Sequence, residues 1–149
     1  MNLLEVIRNQ AKEKNKRIVL PEAHDERVIR AAGILNSEKI AQVILIGNED
    51  RINNLALKID VSLQNIQIVD PQLSDDMTEF AEIYYLKRKH KGISLNQARK
   101  MMLNPTFFAA MMVEKDLADG CVSGADTTTG DVLRAALHII GTHSETPMI

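Results

Sequence analysis

The stretch RIVLPEAHDERVIRAAGILNSEKIAQVILIG, residues 17–47, contains the pattern that decides the fold. It begins with the short β-branched run RIVL, which Pro21 ends, and it closes with AQVILIG, a near-continuous apolar run typical of a strand buried on both faces. Between these runs Asp25 is a candidate N-cap, followed by an apolar face at helical spacing formed by Val28, Ile29, Ala32 and Leu35. The order strand, helix, strand predicts a parallel α/β unit.

The rest of the chain continues this alternation. A helix is predicted before residue 17, a helical or loop segment up to Lys58, and a strand in IQIVD, residues 66–70. Helices are predicted from Ser74 to the stop at Gly92 and after the candidate N-caps Ser94 and Asn104. The pairs Met101-Met102, Phe107-Phe108 and Met111-Met112 are predicted to lie in the core. GCVSG, residues 120–124, predicts a short strand before a last helix. We therefore expect a three-layer α/β/α fold with a mainly parallel sheet.

Composition limits the classes of function. The chain has 149 residues, 18 basic and 20 acidic, with a net charge of -2 and 3% aromatic residues, so neither nucleic-acid binding nor base stacking is indicated. No apolar run approaches the roughly 18 residues of a membrane span, and the first residues lack a signal-peptide pattern. The single cysteine, Cys121, excludes an intramolecular disulfide and suits a reducing compartment. We expect a cytoplasmic protein without a membrane anchor, and an inert core thiol at Cys121.

The first candidate site is the loop after GCVSG, because ligands of open α/β sheets bind beyond the carboxyl ends of the strands. Short hydroxyl donors, a glycine that permits close backbone approach, free amides at the helix start and a forked cation one turn later would suit an anion. The residues are Ser123, Gly124, Thr127, Thr128, Thr129 and Arg134. The alternative is ordinary capping by one threonine, with the other hydroxyls and Arg134 in solvent.

The second candidate is the basic run LKRKHKG, residues 86–92, which contains Arg88. It is either a phosphate subsite or a solvated helix end whose charges complement the helix dipole. His24, in the loop after RIVL, is a possible general base, although a surface histidine near a cap is the simpler interpretation. The sequence has no GxGxxG, no GxxxxGK[ST], no HExxH and no cysteine pair, so no metal site and no bound cofactor are predicted.

Four blocks in register give a resemblance to a known family. KRIVLPEAHDERVIRAA, RKHKG, NPTFFAAMMVEKDLADGCVSGA and TTGDVLRAALHIIGT together resemble the N-terminal half of phosphate acetyltransferases. The resemblance implies an isocitrate/isopropylmalate dehydrogenase-like fold and transfer of an acetyl group between coenzyme A and inorganic phosphate, with coenzyme A as substrate rather than cofactor. It also implies substrate-facing arginines at Arg88 and Arg134 and binding residues at Ser123, Gly124, Thr128 and Thr129.

The resemblance also shows departures. Thr127 stands where the family usually has histidine, and His24 stands where an acidic residue or glycine is common. Family members continue past Ile149 into a second domain, which holds a Ser-Arg pair and the aspartate proposed as base for the thiol. Residues 1–149 are therefore expected to be the N-terminal domain of a longer two-domain transferase and to be inactive alone.

Two other functions stay open at this stage: a non-catalytic module that senses acyl phosphate or coenzyme A, and a phosphate butyryltransferase. We also expect homo-oligomers. Pro147, Met148 and Ile149 read as the start of a strand, so the sheet would keep an open edge, and the apolar face of Leu133, Leu137 and Ile140 would lack cover.

Overall fold

Helices and strands alternate along the chain in a computed structural model that describes residues 2–142. The predicted order is confirmed, and the segment before Lys58 is a helix. The elements are α1 (Leu3–Lys14), β1 (Arg17–Leu20), α2 (Glu26–Ser37), β2 (Gln42–Ile46), α3 (Glu49–Lys58), β3 (Gln67–Val69), α4 (Met77–Arg88), a 3-10 turn (Lys89–Lys91), α5 (Leu95–Met102), α6 (Pro105–Glu114), β4 (Gly120–Cys121) and α7 (Thr129–Ile139).

The four strands form one parallel sheet in the order β3-β2-β1-β4. Val19, in the centre of β1, pairs with Ile44 on one side and with Cys121 on the other. Asp119 fastens β4 to the start of β1, since its carboxylate accepts from the Arg17 backbone N–H at 2.8 Å and from the Arg17 guanidinium at 3.1 and 3.3 Å. The α/β class is confirmed, and the dehydrogenase-like subclass stays a prediction.

Strand β2 shows why the fold has helices on both faces of its sheet. Its apolar run is buried throughout, but alternate side chains point to opposite faces. Val43 and Leu45 belong to a core shared with α2 and α3, whereas Ile44 and Ile46 belong to a core shared with α4, α5, α6 and α7. A strand with two apolar faces needs cover on each, and the two cores give the predicted three layers.

The second of these cores is built around α6. Phe107, Phe108, Met111 and Met112 are all buried, as predicted, and the Phe108 ring lies 4.9 Å from the Phe80 ring. A buried phenylalanine stabilises a fold by roughly 1.5–3 kcal/mol through removal of apolar surface from water. The rigid α6 therefore supports the elements that pack on it, which include β4 and α7.

Local capping confirms three of the predicted helix starts, whereas the helix predicted from Ser74 begins at Met77. Asp25, Ser94 and Asn104 each accept a backbone N–H with their side chains at the starts of α2, α5 and α6. The 3-10 turn after α4 ends at Gly92, whose φ of 80° lies in the left-handed region that glycine adopts without strain. Capping chemistry is local, which explains why the sequence predicted these positions.

The predictions for strand β4 and for Cys121 require correction. Strand pairing covers Gly120 and Cys121 only, not the whole of GCVSG, and Val122 is 63% exposed. Cys121 is exposed rather than part of the core. The reason is that β4 is the outer strand among the described residues, so its far side meets no neighbouring strand.

Two helices have apolar side chains in solvent. Leu3, Leu4 and Ile7 of α1 are 75%, 68% and 52% exposed, and Leu133, Leu137 and Ile140 at α7 are about half exposed, as predicted. Within residues 2–142, no helix is long and apolar enough to cross a membrane. The predicted strand at residues 147–149 lies outside the described residues.

Candidate functional site

The order of the strands places the candidate site between two loops. Strands β2 and β3 follow β1 on one side of the sheet, and β4 then pairs with β1 on its other side. Ligands of open parallel sheets bind where the strand order reverses, outside the carboxyl ends of the two strands concerned. Here those ends lead into the β1–α2 loop, residues 21–25, and the β4–α7 loop, residues 122–128.

A buried carboxylate joins these two loops. Glu22 lies two residues after the end of β1 and is 2% exposed. Its Oε2 accepts backbone N–H groups from Gly124 at 2.8 Å and Ala125 at 3.0 Å, and its Oε1 accepts those of Asp126 at 2.8 Å and Thr127 at 2.6 Å. Four consecutive amides therefore converge on one side chain that lies 102–105 positions earlier in the chain.

The surroundings of Glu22 favour its ionised form. Burial alone would raise the pKa of this carboxyl, but the hydrogen bonds from Thr127, Asp126 and Ala125 outweigh it and lower the pKa to about 2. A carboxylate accepts at all its lone pairs, whereas a carboxylic acid would direct a proton at one of the amides. Glu22 is therefore a permanent negative charge inside the loop.

Further contacts link the same two loops. His24 Nε2 lies 2.9 Å from Asp126 Oδ2, and the Arg27 guanidinium donates to the Ala125 carbonyl at 2.6 Å. Arg27 also pairs with the N-cap Asp25 at 2.6 Å. His24 is 63% exposed at its side chain, in agreement with the simpler interpretation of a surface histidine.

The backbone amides of the β4–α7 loop bind an anionic group of the chain itself. Gly124 was expected to let the backbone approach an anion closely. Its φ of 112° turns the backbone so that the following N–H groups point towards one place. However, the anion in contact with residues 124–127 is the Glu22 carboxylate. An incoming anion must therefore be bound by side chains or by the first amides of α7.

Ser123 shows a different feature. Its Oγ is buried and has no hydrogen-bond partner among residues 2–142. Most buried hydroxyl groups are paired, because an unsatisfied one costs about 1–3 kcal/mol. Ser123 lines a small cavity of about 160 Å³, whose other walls are mostly apolar side chains of α6 and α7. The predicted binding residue thus has a donor available for a ligand.

Thr128 and Thr129 have different roles at the start of α7. Thr128 is the N-cap of α7, because its Oγ1 accepts from the Asp131 N–H at 3.2 Å, and it also donates to the Asp131 carboxylate at 2.8 Å. Capping by one threonine is thereby confirmed, while Thr129 is exposed at the first position of the helix. Asp131 in turn binds the exposed Arg134 guanidinium at 2.7 Å.

Arg88 differs from the other members of the basic run. It ends α4 and is half-buried, and within residues 2–142 its guanidinium has no hydrogen bond or ion pair. Lys87, its neighbour, pairs with Glu114 at 2.6 Å, and Lys89, His90 and Lys91 are exposed. A half-buried, unpaired cation is costly unless something anionic binds to it.

His138 lies within electrostatic reach of both predicted arginines, Arg88 and Arg134. The sequence analysis did not identify this histidine. Burial lowers the pKa of this imidazole, and the positive charges of Arg88 and Arg134 lower it further, so both guanidiniums lie within electrostatic reach. Its Nδ1 lies 3.1 Å from the Tyr84 hydroxyl, and its ring is flanked by Tyr84 and Phe107. A histidine four residues after Arg134 on one helix was the available signal.

The single cysteine lies close to the site but is not activated. Although Cys121 is exposed as a residue, it lines the same small cavity as Ser123. Burial of its thiol raises the pKa to about 11, and the charge of Glu22 adds to this effect. The thiol is therefore protonated at neutral pH and is a poor nucleophile, as predicted. Across residues 2–142 no three His, Cys, Asp or Glu side chains are placed to hold a metal ion.

The fold defines the class: an α/β domain whose switch-point loops and α7 form a candidate site for a small anion. Comparison with known proteins identifies its family. The chain belongs to the phosphate acetyl/butaryl transferase family, which it matches over residues 2–149. The predicted resemblance is confirmed.

Individual relatives agree in sequence and in structure. A phosphate acetyltransferase of Treponema pallidum (strain Nichols) is 45% identical over 143 residues, which is 95% of this chain and 43% of that protein. The EutD phosphotransacetylase from Staphylococcus aureus superposes with a TM-score of 0.87 at 36% identity, over 98% of this chain and 44% of the other. A phosphotransacetylase from Streptococcus pyogenes gives 0.86 at 36% identity, over 93% and 43%. This chain spans less than half the length of these relatives.

Proposed function

We propose that the protein transfers an acetyl group between coenzyme A and inorganic phosphate, and that this chain supplies the part of the site that holds the phosphate. Relatives named phosphate acetyltransferase support the reaction. The observation that carries the assignment is Arg88, a half-buried guanidinium without a hydrogen bond or ion pair among residues 2–142. Its positive charge and that of Arg134 both lower the pKa of His138, so the two arginines act on the same region.

The reaction needs fixed positive charge around the phosphate. In one direction a phosphate oxygen attacks the thioester carbonyl, the new C–O bond forms, the C–S bond breaks, and the thiolate leaves and takes up a proton. In the other direction the thiolate attacks acetyl phosphate and phosphate leaves. Both directions place an anion and a developing oxyanion side by side, which forked guanidinium donors stabilise.

Arg88 and Arg134 would act in different ways. Arg88 has no ion pair to break among the described residues, so it can accept a phosphate directly. Arg134 must leave Asp131, but that pair is exposed at both side chains, 56% and 49%, and such pairs contribute at most about 1 kcal/mol. A phosphate dianion can therefore compete for Arg134, with Ser123 and Thr129 as further donors and Thr128 as a third once its hydroxyl turns away from Asp131.

His138 would stay neutral in this arrangement. Two neighbouring guanidiniums and partial burial oppose its protonation, so it acts as a hydrogen-bonding group beside Tyr84 rather than as a third cation. The base that deprotonates the coenzyme A thiol is proposed to belong to the part of the relatives that this chain does not span, in line with the family resemblance.

Cellular location and assembly are also proposals. The absence of a membrane-spanning helix within residues 2–142 is consistent with a cytoplasmic enzyme. The exposed apolar side chains of α1 and α7 support homo-oligomer formation, because contiguous apolar surface favours association.

Ligand titration of the purified chain tests the proposal. Inorganic phosphate, acetyl phosphate and coenzyme A are added while backbone amide signals are followed, and acetyl-CoA formation is assayed in parallel. We expect weak phosphate binding that shifts signals near Arg88, Arg134 and Thr128, without turnover. Arg88→Lys should weaken phosphate binding about tenfold, because an ammonium lacks the fork of a guanidinium.

The control is Arg30→Lys, which alters an exposed guanidinium paired with Glu26 on α2. It should leave phosphate binding unchanged. Equal affinities in wild type and Arg88→Lys would remove Arg88 from the site. Binding of acyl phosphate or coenzyme A by a full-length protein that shows no turnover would favour the sensing module.

A further inference from the structure

We infer that Glu22 is a positioning residue: its buried carboxylate fills the cradle of four amides in the β4–α7 loop and so sets the conformation in which that loop presents Ser123 and Thr128. The inference rests on the proposed function, because the ligand is the phosphate group discussed above. Glu22 itself belongs to the neighbouring β1–α2 loop and was not singled out by the sequence.

The contact pattern is that of an anion-binding cradle. Consecutive backbone N–H groups that point into one concavity form a site for an anion, as in phosphate-binding loops. Here residues 124–127 supply the four amides, two to each carboxylate oxygen, at 2.6–3.0 Å. The curve begins at Gly124, whose φ of 112° is disfavoured for other residues.

The position of Glu22 determines what the loop is attached to. Glu22 comes two residues after Leu20, the last residue of β1, and β1 is paired on both sides in the sheet. Its side chain is buried, so few alternative rotamers are open to it. The β4–α7 loop is thus fixed to a strand that is paired on both sides, and Ser123 and Thr128 flank the segment bound by Glu22.

The charge of Glu22 has a second effect. An empty cradle of four amides at a switch point would itself attract phosphate. An internal carboxylate occupies that place and repels a second anion, so an incoming phosphate is directed to Arg88 and Arg134 instead. Ionisation is secure at neutral pH, since the pKa of Glu22 is lowered to about 2.

Glutamine cannot replace glutamate here. Its amide group has one acceptor oxygen and one donor NH₂. Whichever way the amide turns, the NH₂ faces two backbone N–H donors, and two of the four hydrogen bonds are lost. Aspartate keeps the charge but is one methylene shorter, so it reaches part of the cradle only.

Phosphate titration of variants in the full chain tests the inference. Glu22→Gln and Glu22→Ala are compared with Glu26→Gln, an exposed glutamate of the same segment that pairs with Arg30. We expect phosphate affinity to fall about tenfold to a hundredfold in both Glu22 variants, since small misplacements of binding groups have effects of this size. Far-UV circular dichroism should stay that of wild type, and Glu26→Gln should bind normally.

Formate supplies the readout that a general loss of structure would not give. In Glu22→Ala the removed side chain leaves room for a small carboxylate at the four amides, so millimolar formate should restore phosphate affinity and shift the amide signals of residues 124–127. Formate should restore nothing in Glu22→Gln, where the amide group fills the space. Glu22→Asp should retain more affinity than Glu22→Gln.

The outcomes separate the two proposals. Wild-type phosphate affinity in Glu22→Gln and Glu22→Ala, or the absence of any formate effect in Glu22→Ala, would overturn the role of Glu22. If the wild type does not bind phosphate, the proposed function is refuted but the role of Glu22 is not. In that case the amide shifts that formate causes in Glu22→Ala still decide whether Glu22 fixes the conformation of the loop. If neither variant folds, hydrogen exchange in wild type decides: amides 124–127 should be protected, and unprotected amides would overturn the inference.

Discussion

Replacement of Glu22 by glutamine should also lower the stability of the fold, and by an amount that the structure allows one to work out. The hydrogen bonds in the loop lower the pKa of this carboxyl from 4.5 to about 2, despite burial. The difference of about 2.5 units corresponds to about 3 kcal/mol of stability at neutral pH. The side chain is 2% exposed, so solvent screening reduces this figure little.

A count of hydrogen bonds leads to a similar figure. Glu22→Gln loses two of four bonds to a charged acceptor, and each such bond contributes about 1.5–3 kcal/mol. A loss of about 3 kcal/mol is a large part of the 5–15 kcal/mol that stabilises a typical domain. Both figures describe the same hydrogen bonds, and both place the effect well within the range that unfolding experiments measure.

The dependence on pH has a defined sign. Because the pKa of Glu22 is lower in the folded state than in the unfolded state, its contribution is fully present above pH 4.5 and is lost as the pH falls towards 2. Glutamine does not titrate. The difference between wild type and Glu22→Gln should therefore be largest near neutral pH and shrink with acidification.

Urea unfolding followed by circular dichroism measures this difference at pH 7, 5, 4 and 3. Other carboxylates with lowered pKa values, such as Asp25, occur in both proteins and cancel from the difference. Glu26→Gln is the matched control and should change the unfolding free energy by less than about 0.5 kcal/mol, because its ion pair is exposed. An unfolding free energy of Glu22→Gln within 0.5 kcal/mol of wild type, or a difference independent of pH, would refute the reasoning.

Two further expectations concern the helix that follows the loop. Arg134→Lys should weaken phosphate binding about tenfold, or about 1.4 kcal/mol, in calorimetric titration. It should leave the urea midpoint of unfolding unchanged, because the pair of Arg134 with Asp131 is exposed. Unaltered phosphate affinity would show that Arg134 is only a solvated residue. Light scattering should show that the chain self-associates as its concentration rises. Leu137→Glu, at a residue 46% exposed, should shift the equilibrium towards the monomer. A wild type that stays monomeric at all concentrations would contradict the expected self-association.

Much of the fold was predictable because its signals are local. Strand β1 ends just before Pro21, α2 is capped by Asp25, and the apolar run of β2 is continuous. Each feature depends on neighbours only a few positions away. The shortness of β4 was not predictable in this way. Whether GCVSG pairs along its whole length depends on which strands lie beside it, and that is a property of the complete sheet.

The candidate site shows the same division. Thr128 as an N-cap follows from local chemistry, but the partner of Glu22 lies more than a hundred positions away, and Tyr84 meets His138 across 54 positions. Contacts of this kind arise from the packing of α4 against α7 and of β1 beside β4. The sequence contains a glutamate after a strand, and only the structure shows the four amides it binds.

The position of Cys121 has a consequence for the redox behaviour of the protein. The residue is exposed on the outer strand of the sheet that residues 2–142 form, where a thiol would ordinarily invite oxidation or cross-linking between chains. Because burial of the thiol raises its pKa to about 11, almost no thiolate forms at neutral pH. Alkylating reagents should therefore modify Cys121 slowly, and any dimers that form should survive a reducing agent, because apolar contact rather than a disulfide would hold them together.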